Sequence, residues 1–286
     1  MGRYEETQKV GVFGILGNLF LLIIKAMVGF ISHSQSMIAD TFNSASDIFA
    51  SLMTTIGNKI ANVPEDEDHN FGHGKAEYIF SFLISLSMMG LSLKLLWDSF
   101  SSILEKNVVI FSIPLLVVCV LTILVKLVLY IYTKKVYKKH HNILVESNMC
   151  DHRNDCIITA FTMLSIVLSY YGIYWVDGII GFFISAWIFY TGIQIFIESY
   201  RVLMDASLTQ EKKDFLRKIA LENKKIKKID EIYSVPIGYH YIVVLTIYVD
   251  GKMPTKDSHE IADKLEDIIV RKMDSVQKAI IHVNPI

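Results

Sequence analysis

The sequence predicts an all-α six-span transmembrane domain over residues 1–206, followed by a small α+β domain over 207–286. Three observations carry that expectation. Six long apolar runs occupy the stretch from residue 10 to residue 199. The composition then shifts to an ordinary mixture rich in Lys, Asp and Glu. Beyond the shift, two helical periodicities alternate with three β-rich runs.

A bilayer-spanning helix needs about 20 mostly apolar residues. The runs at about 10–31, 36–57, 77–103, 108–133, 145–169 and 175–199 have that length. So many runs in one chain, with 52% hydrophobic residues overall, argue against the buried helices of a soluble protein. The polar segment Met1 to Lys9 leads into the first run with no small-residue cleavage site, so that run reads as a retained span. Gly11, Gly14 and Gly17 on it would let a neighbouring helix approach closely. Lys25 would either snorkel to an interface or pair with an acid.

Orientation follows from charge. Lys134-Lys-Val-Tyr-Lys-Lys-His-His141 places four lysines in six residues after the fourth run. The positive-inside rule makes this loop cytoplasmic. An even span count then puts both termini and the loop at 58–75 on the same side. The opposite loops, near 32–35, 104–107 and 170–174, carry one basic residue besides histidine, Lys106. A net charge of −1 argues against a nucleic-acid partner held by bulk charge. Cys119, Cys150 and Cys156 lie in apolar runs without a CxxC pair, so no disulfide framework is expected.

The C-terminal part reads as a helix over 210–223, strands over 229–235 and 239–250, a helix over 255–273 and a strand over 276–283. That α-β-β-α-β order points to a ferredoxin-like α+β domain.

Two polar stripes interrupt the second and fifth spans. One is Asp40-Thr-Phe-Asn43-Ser-Ala-Ser-Asp47 and the other Asn148-Met-Cys-Asp151-His-Arg-Asn-Asp155. Positions three and seven apart lie on one helix face, so each stretch lays carboxylate and amide oxygens along one side. At membrane depth such groups must face one another or water. Two facing stripes would form an oxygen-lined cage for a hard divalent cation. Their comparable places in the two halves also hint at an internal repeat. His152 and Arg153 fall off the stripe, and Asp40 and Asn148 extend it by one turn, either lining an access path or making helix-packing hydrogen bonds. The loop from Pro64 to Lys75 packs four acids and two histidines into nine residues. It is either a solvated acidic loop or a second metal site.

These residues resemble the cation diffusion facilitator family over nearly the whole chain. Lys25-Ala-Met-Val-Gly29 looks like its first-span Lys-x-x-x-Gly. Ile38-Ala-Asp40 through Asp47 looks like its second-span metal motif. Asp66-x-x-His69-x-Phe71-Gly72-His73-Gly74-Lys75-Ala76-Glu77 is similar to its loop signature, and Arg201-Val-Leu-Met-Asp205 to its link between membrane and cytoplasmic parts. The resemblance implies a dimeric, proton-coupled exporter of divalent metal. It implies a transport site at Asn43, Asp47, Asp151 and Asp155, and a loop metal site at Asp66, His69 and His73. Lys75 and Asp205 match a pair that forms a charge interlock in relatives. His259 and His282 match cytoplasmic metal ligands of some relatives. Thr246 stands where that site has a histidine, and Asn284 where it has an acid.

Zinc-carrying members usually show HxxxD in at least one stripe. This chain has NxxxD and DxxxD, a combination that the resemblance associates with manganese export, and an all-oxygen set suits manganese(II). The expected function is therefore manganese(II)/proton antiport at the plasma membrane of a bacterium, by a homodimer with cytoplasmic termini. Protons would compete with the metal for one coupled set of carboxylates. No resident cofactor is expected beyond a structural zinc or other divalent metal in the loop or the cytoplasmic domain. The alternatives are a zinc or iron(II) exporter of the same architecture, a membrane metalloenzyme, and a metal sensor anchored by its spans. No HExxH or GxSxG motif supports the enzyme, and the intramembrane carboxylates argue against the sensor.

Overall fold

The computed structural model describes residues 2–31, 35–105, 113–171 and 175–286; some helical side chains, those of Asp40 and Asn43 among them, lie outside that description. The order is α1 (Arg3–Ile31), α2 (Gln35–Ala61), α3 (Ala76–Glu105), α4 (Ile113–His140), α5 (Ile143–Tyr170), α6 (Trp175–Leu203), α7 (Gln210–Leu221), β1 (Lys228–Pro236), β2 (Tyr241–Val249), α8 (Thr255–Lys272) and β3 (Val276–Pro285). Among the described residues, four helices (α1, α3, α4 and α6) are long and apolar enough to cross a membrane. The two left out, α2 and α5, carry the polar stripes.

Helices α1, α2, α4 and α5 pack on one another, and α3 packs on α2 and α5. Helix α6 lies along α3, with the rings of Phe82 and Phe196 centred 4.6 Å apart. Gly11 and Gly14 sit where α1 meets Thr55 and Ser51 of α2, so the close approach expected of them is made there. Lys25 is buried and partnered, not extended to an interface. Helix α4 buries Cys119, Thr122, Lys126, Leu129, Thr133 and Val136, a three–four spacing that turns one stripe toward the other helices. Lys126 is on that stripe.

The helices outrun the apolar segments that reveal them. The lysine-rich segment after the fourth run, expected to be a loop, is instead the end of α4, which continues to His140. Its cations complement the negative end of the helix dipole. Lys139 and His140 also meet Glu6, at 2.6 and 2.9 Å. Only His141 (φ 47°) and Asn142 separate α4 from α5. Asn142 caps α5, its Oδ1 accepting from the N–H groups of Leu144 and Val145 at 2.8 and 3.3 Å. Its Nδ2 donates to Glu77 Oε1 at 3.0 Å, and Arg3 grips the same carboxylate at 2.6 and 2.5 Å. The first turns of α1, α3 and α5 are tied at this point.

The C-terminal elements follow the expected order closely. β1 pairs antiparallel with β2, and β2 parallel with β3, giving the strand order β1-β2-β3. Val243, Leu245 and Ile247 alternate inward from β2 and pack with Leu216 of α7 and Leu265 and Ile269 of α8. Each such fully buried aliphatic side chain contributes about 1.5–3 kcal/mol relative to exposure, so this core holds the unit together.

By contacts the chain forms two units, Met1–Val63 with Ala76–Tyr200, and Pro64–Lys75 with Arg201–Ile286. The loop at 64–75 therefore groups with the C-terminal elements. Gly74 is the reason: a Cβ there would lie 2.8 Å from the carbonyl oxygen of Ile237, and Gly238 (φ 93°) faces it from the other side. Helix α6 ends with Ala206 N–H on Arg201 O (2.8 Å) and Asp205 N–H on Val202 O (3.2 Å), with Asp205 left-handed at φ 54°. That turn presents the Asp205 carboxylate to Lys75 Nζ at 2.6 Å.

Candidate metal centres

Among the described residues, two groups of acid and imidazole side chains converge closely enough to share an ion. One is Asp151, His152 and Asp155; the other is Asp66, His69 and His73.

The first lies on α5. Asp151 and Asp155 are one turn apart, and His152 is three residues before Asp155, so all three project to one side. Asp155 and His152 are buried and Asp151 is half-buried. From α2, the buried Asp47 reaches the same place. The link is Lys126 of α4, whose side chain is 1% exposed; its ammonium donates to Asp47 Oδ2 at 2.7 Å and also to Asp155 Oδ2. Asp47 and Asp151 line a cavity of about 300 Å³ whose walls include Ser46, Ser87, Met88 and Lys94. Asn43 lies on α2 one turn before Asp47, with its side chain outside the described residues. Three of the four transport-site residues expected from sequence are thus brought together.

Two participants were not read from the sequence as part of this cluster. Lys126 carried a signal, a lone cation on the buried stripe of a very apolar helix. His152 falls off the stripe by spacing, but the structure sets it in the cluster. Among the described residues, both its ring nitrogens are buried without a hydrogen-bond partner, as is Asp151 Oδ2. Among the described residues Arg153 forms no ion pair with an acid; its guanidinium stacks on Trp187 at 4.5 Å and reaches Thr191. Asn148 binds Thr54, Ser51 and the carbonyl of Leu144, which is helix packing. The side chain of Asp40 is outside the described residues.

The second group is built by the loop's own turns. Asp66 Oδ1 accepts from the His69 N–H at 2.6 Å and faces His69 Nδ1 at 3.0 Å. Asp66 Oδ2 lies 3.5 Å from His73 Nε2, and the two imidazole rings are centred 4.3 Å apart. Gly72, at φ 71°, returns the chain so that His73 can close the group. Desolvation works to raise the Asp66 carboxyl, but the His69 hydrogen bonds and the two imidazoles outweigh it and hold the group below its usual range. His73 Nδ1 is buried and has no hydrogen-bond partner among the described residues.

The cytoplasmic pair expected from sequence is not assembled within the chain. Ala279, Ile281 and Val283 turn toward the core under α8, so strand alternation sends His282 to the opposite, exposed face, beside Thr246. His259 lines a cavity on the helix side with Ile281 and Val283, and pairs with Asp263 at 3.6 Å. The two histidines lie on opposite faces of the sheet and do not fit a shared metal.

Comparisons with known proteins agree on the architecture. Residues 12–204 match the family model described as the cation efflux transmembrane domain, and residues 208–286 the one described as the cation efflux protein, cytoplasmic domain. The manganese efflux system protein MneP of Bacillus subtilis is 26% identical over 293 residues, covering 99% of this chain and 97% of the relative. The manganese efflux system protein MneS of the same organism is 26% identical over 289 residues, covering 100% and 99%. The cation-efflux pump FieF of Shewanella oneidensis is 27% identical over 268 residues, covering 94% and 90%. Matched across its helices and its C-terminal domain, the chain belongs to the cation diffusion facilitator family and is an integral membrane cation efflux transporter, not an enzyme.

Proposed function

We propose that this transporter exports manganese(II) in exchange for protons, with Asn43, Asp47, Asp151 and Asp155 as its transport site. The observation that carries the reading is the meeting of three carboxylates from α2 and α5 beside a cavity inside the membrane part. Ionisable groups at that depth are retained for a purpose. Carboxylate oxygens suit a hard cation, and two of the relatives above are named as manganese efflux proteins. With one divalent ion, three carboxylates leave a charge near −1. Without it they repel one another, so protons and metal compete for the same coupled groups. That competition couples inward proton flow to outward metal flow.

Zinc or iron(II) is the second reading, and His152 is the observation that favours it. An imidazole nitrogen within reach of Asp151 and Asp155 would add the donor that those metals prefer.

The loop group would hold a second divalent metal. Its donor set, one carboxylate and two imidazoles, fits zinc. Such a metal would fasten the loop that also carries Gly74 and the Lys75–Asp205 pair. The protein works as a homodimer in the plasma membrane of a bacterium, with both termini in the cytoplasm. Proteoliposomes under an imposed pH gradient, offered manganese and zinc separately, test the substrate. Manganese uptake driven by the gradient is the expected result. Zinc uptake without manganese uptake would overturn the manganese assignment and leave the transporter family intact.

A further inference from the structure

The transport reading leaves Lys126 without a role. Its ammonium is buried at 1% exposure on α4, bonded to Asp47 of α2 and Asp155 of α5. A buried ammonium is stable only when carboxylates replace its lost hydration. Here the replacements are two of the groups that a transported metal would need. The cavity approaches the cluster through Asp47 and Asp151, and Lys126 is not among its lining residues. An incoming ion and the lysine therefore meet the carboxylates from different sides.

We propose that Lys126 is a tethered cation that holds Asp47 and Asp155 together when no metal is bound and competes with the divalent metal for them. The proposal rests on reading these carboxylates as the transport site. A divalent ion ligated by both oxygens displaces the ammonium from at least one, because Asp47 Oδ2 and Asp155 Oδ2 are the atoms that Lys126 occupies. Metal affinity is then the intrinsic affinity of the cage less the cost of parting that ion pair. On release, the ammonium returns and closes the cage behind the departing ion. A site that must release its cargo gains from such a competitor. The alternative, a purely structural ion pair between α2, α4 and α5, predicts the opposite effect on affinity, since its loss would loosen the site.

The test is manganese binding to the purified full chain in detergent, by calorimetry, together with flux in proteoliposomes. Lys126→Met is expected to tighten manganese binding by roughly tenfold to a hundredfold, since a competing charge pair is removed. Its maximal flux is expected to fall while half-saturation moves to lower manganese. Lys126→Arg keeps a cation at the cage and is expected to keep binding weak. Unchanged or weaker binding in a monodisperse Lys126→Met protein would overturn the proposal. Should that variant not fold, amine labelling of wild-type Lys126, read by mass spectrometry, replaces it. Manganese is expected to increase the labelling as the ammonium is displaced, and no change would overturn the proposal. Absence of manganese, zinc and iron(II) binding to the wild-type chain would instead overturn the transport-site reading.

Discussion

Replacing Glu77 with alanine should destabilise the membrane part by an amount that can be worked from its contacts. Glu77 is 1% exposed, accepts two hydrogen bonds from Arg3 and one from Asn142. Removing one side of a buried ion pair costs about 3–5 kcal/mol, because the other charge is stranded. The Arg3 side chain keeps 21% of its exposure, which favours the low end of that range. The orphaned amide of Asn142 adds about 1 kcal/mol. The sum is roughly 4 kcal/mol for Glu77→Ala. Arg3→Ala strands the carboxylate but spares its Asn142 bond, so it should cost about 3–5 kcal/mol. The double variant should cost less than the two singles together by about 2 kcal/mol or more, since the second change removes a group already stranded. Reversible unfolding of the full chain in mixed SDS micelles measures all three. Additivity within about 0.5 kcal/mol would refute the reasoning, since it would mean that Arg3 and Glu77 act independently.

Other predictions follow from the same geometry. Gly238→Ala forces φ 93° on a residue with a Cβ and drives that atom to 2.8 Å from the Gly74 backbone, so it should cost at least about 2 kcal/mol; an unchanged unfolding midpoint would contradict the close approach. His73→Ala should lower bound metal by about one ion per chain, measured by elemental analysis, while manganese flux persists. An unaltered metal content would mean that the loop group is only a hydrogen-bonded turn. Asn43→His should raise the zinc-to-manganese flux ratio roughly tenfold if donor type governs choice, and leave it unchanged if geometry does.

Much of this was legible in the sequence because it is periodic. The apolar runs located all six helices, and alternation around Tyr241 to Val249 located the central strand. The helix ends were harder to read. Polar residues such as Lys134 to Lys139 look like loop by composition, yet they continue α4 beyond its apolar stretch. Spacing also showed Asp47, Asp151 and Asp155 on helix faces. What spacing cannot show is what a third helix brings to those faces. Lys126 is distant in sequence from both carboxylates and enters the cluster only through packing. By spacing His152 falls off the stripe, yet a helix face is wide enough to hold residues i, i+1 and i+4 around one point. His259 and His282 are set apart for a simpler reason: a strand's period of two sends His282 away from the helix that carries His259.

The most direct test of the central claim is manganese flux in proteoliposomes under an imposed pH gradient, comparing the wild-type chain with Asp155→Asn. The substitution keeps the size of the side chain and removes its charge. The cage account predicts gradient-driven manganese flux in the wild type and its loss in a folded variant. Proton-dependent manganese flux that persisted in Asp155→Asn would contradict it.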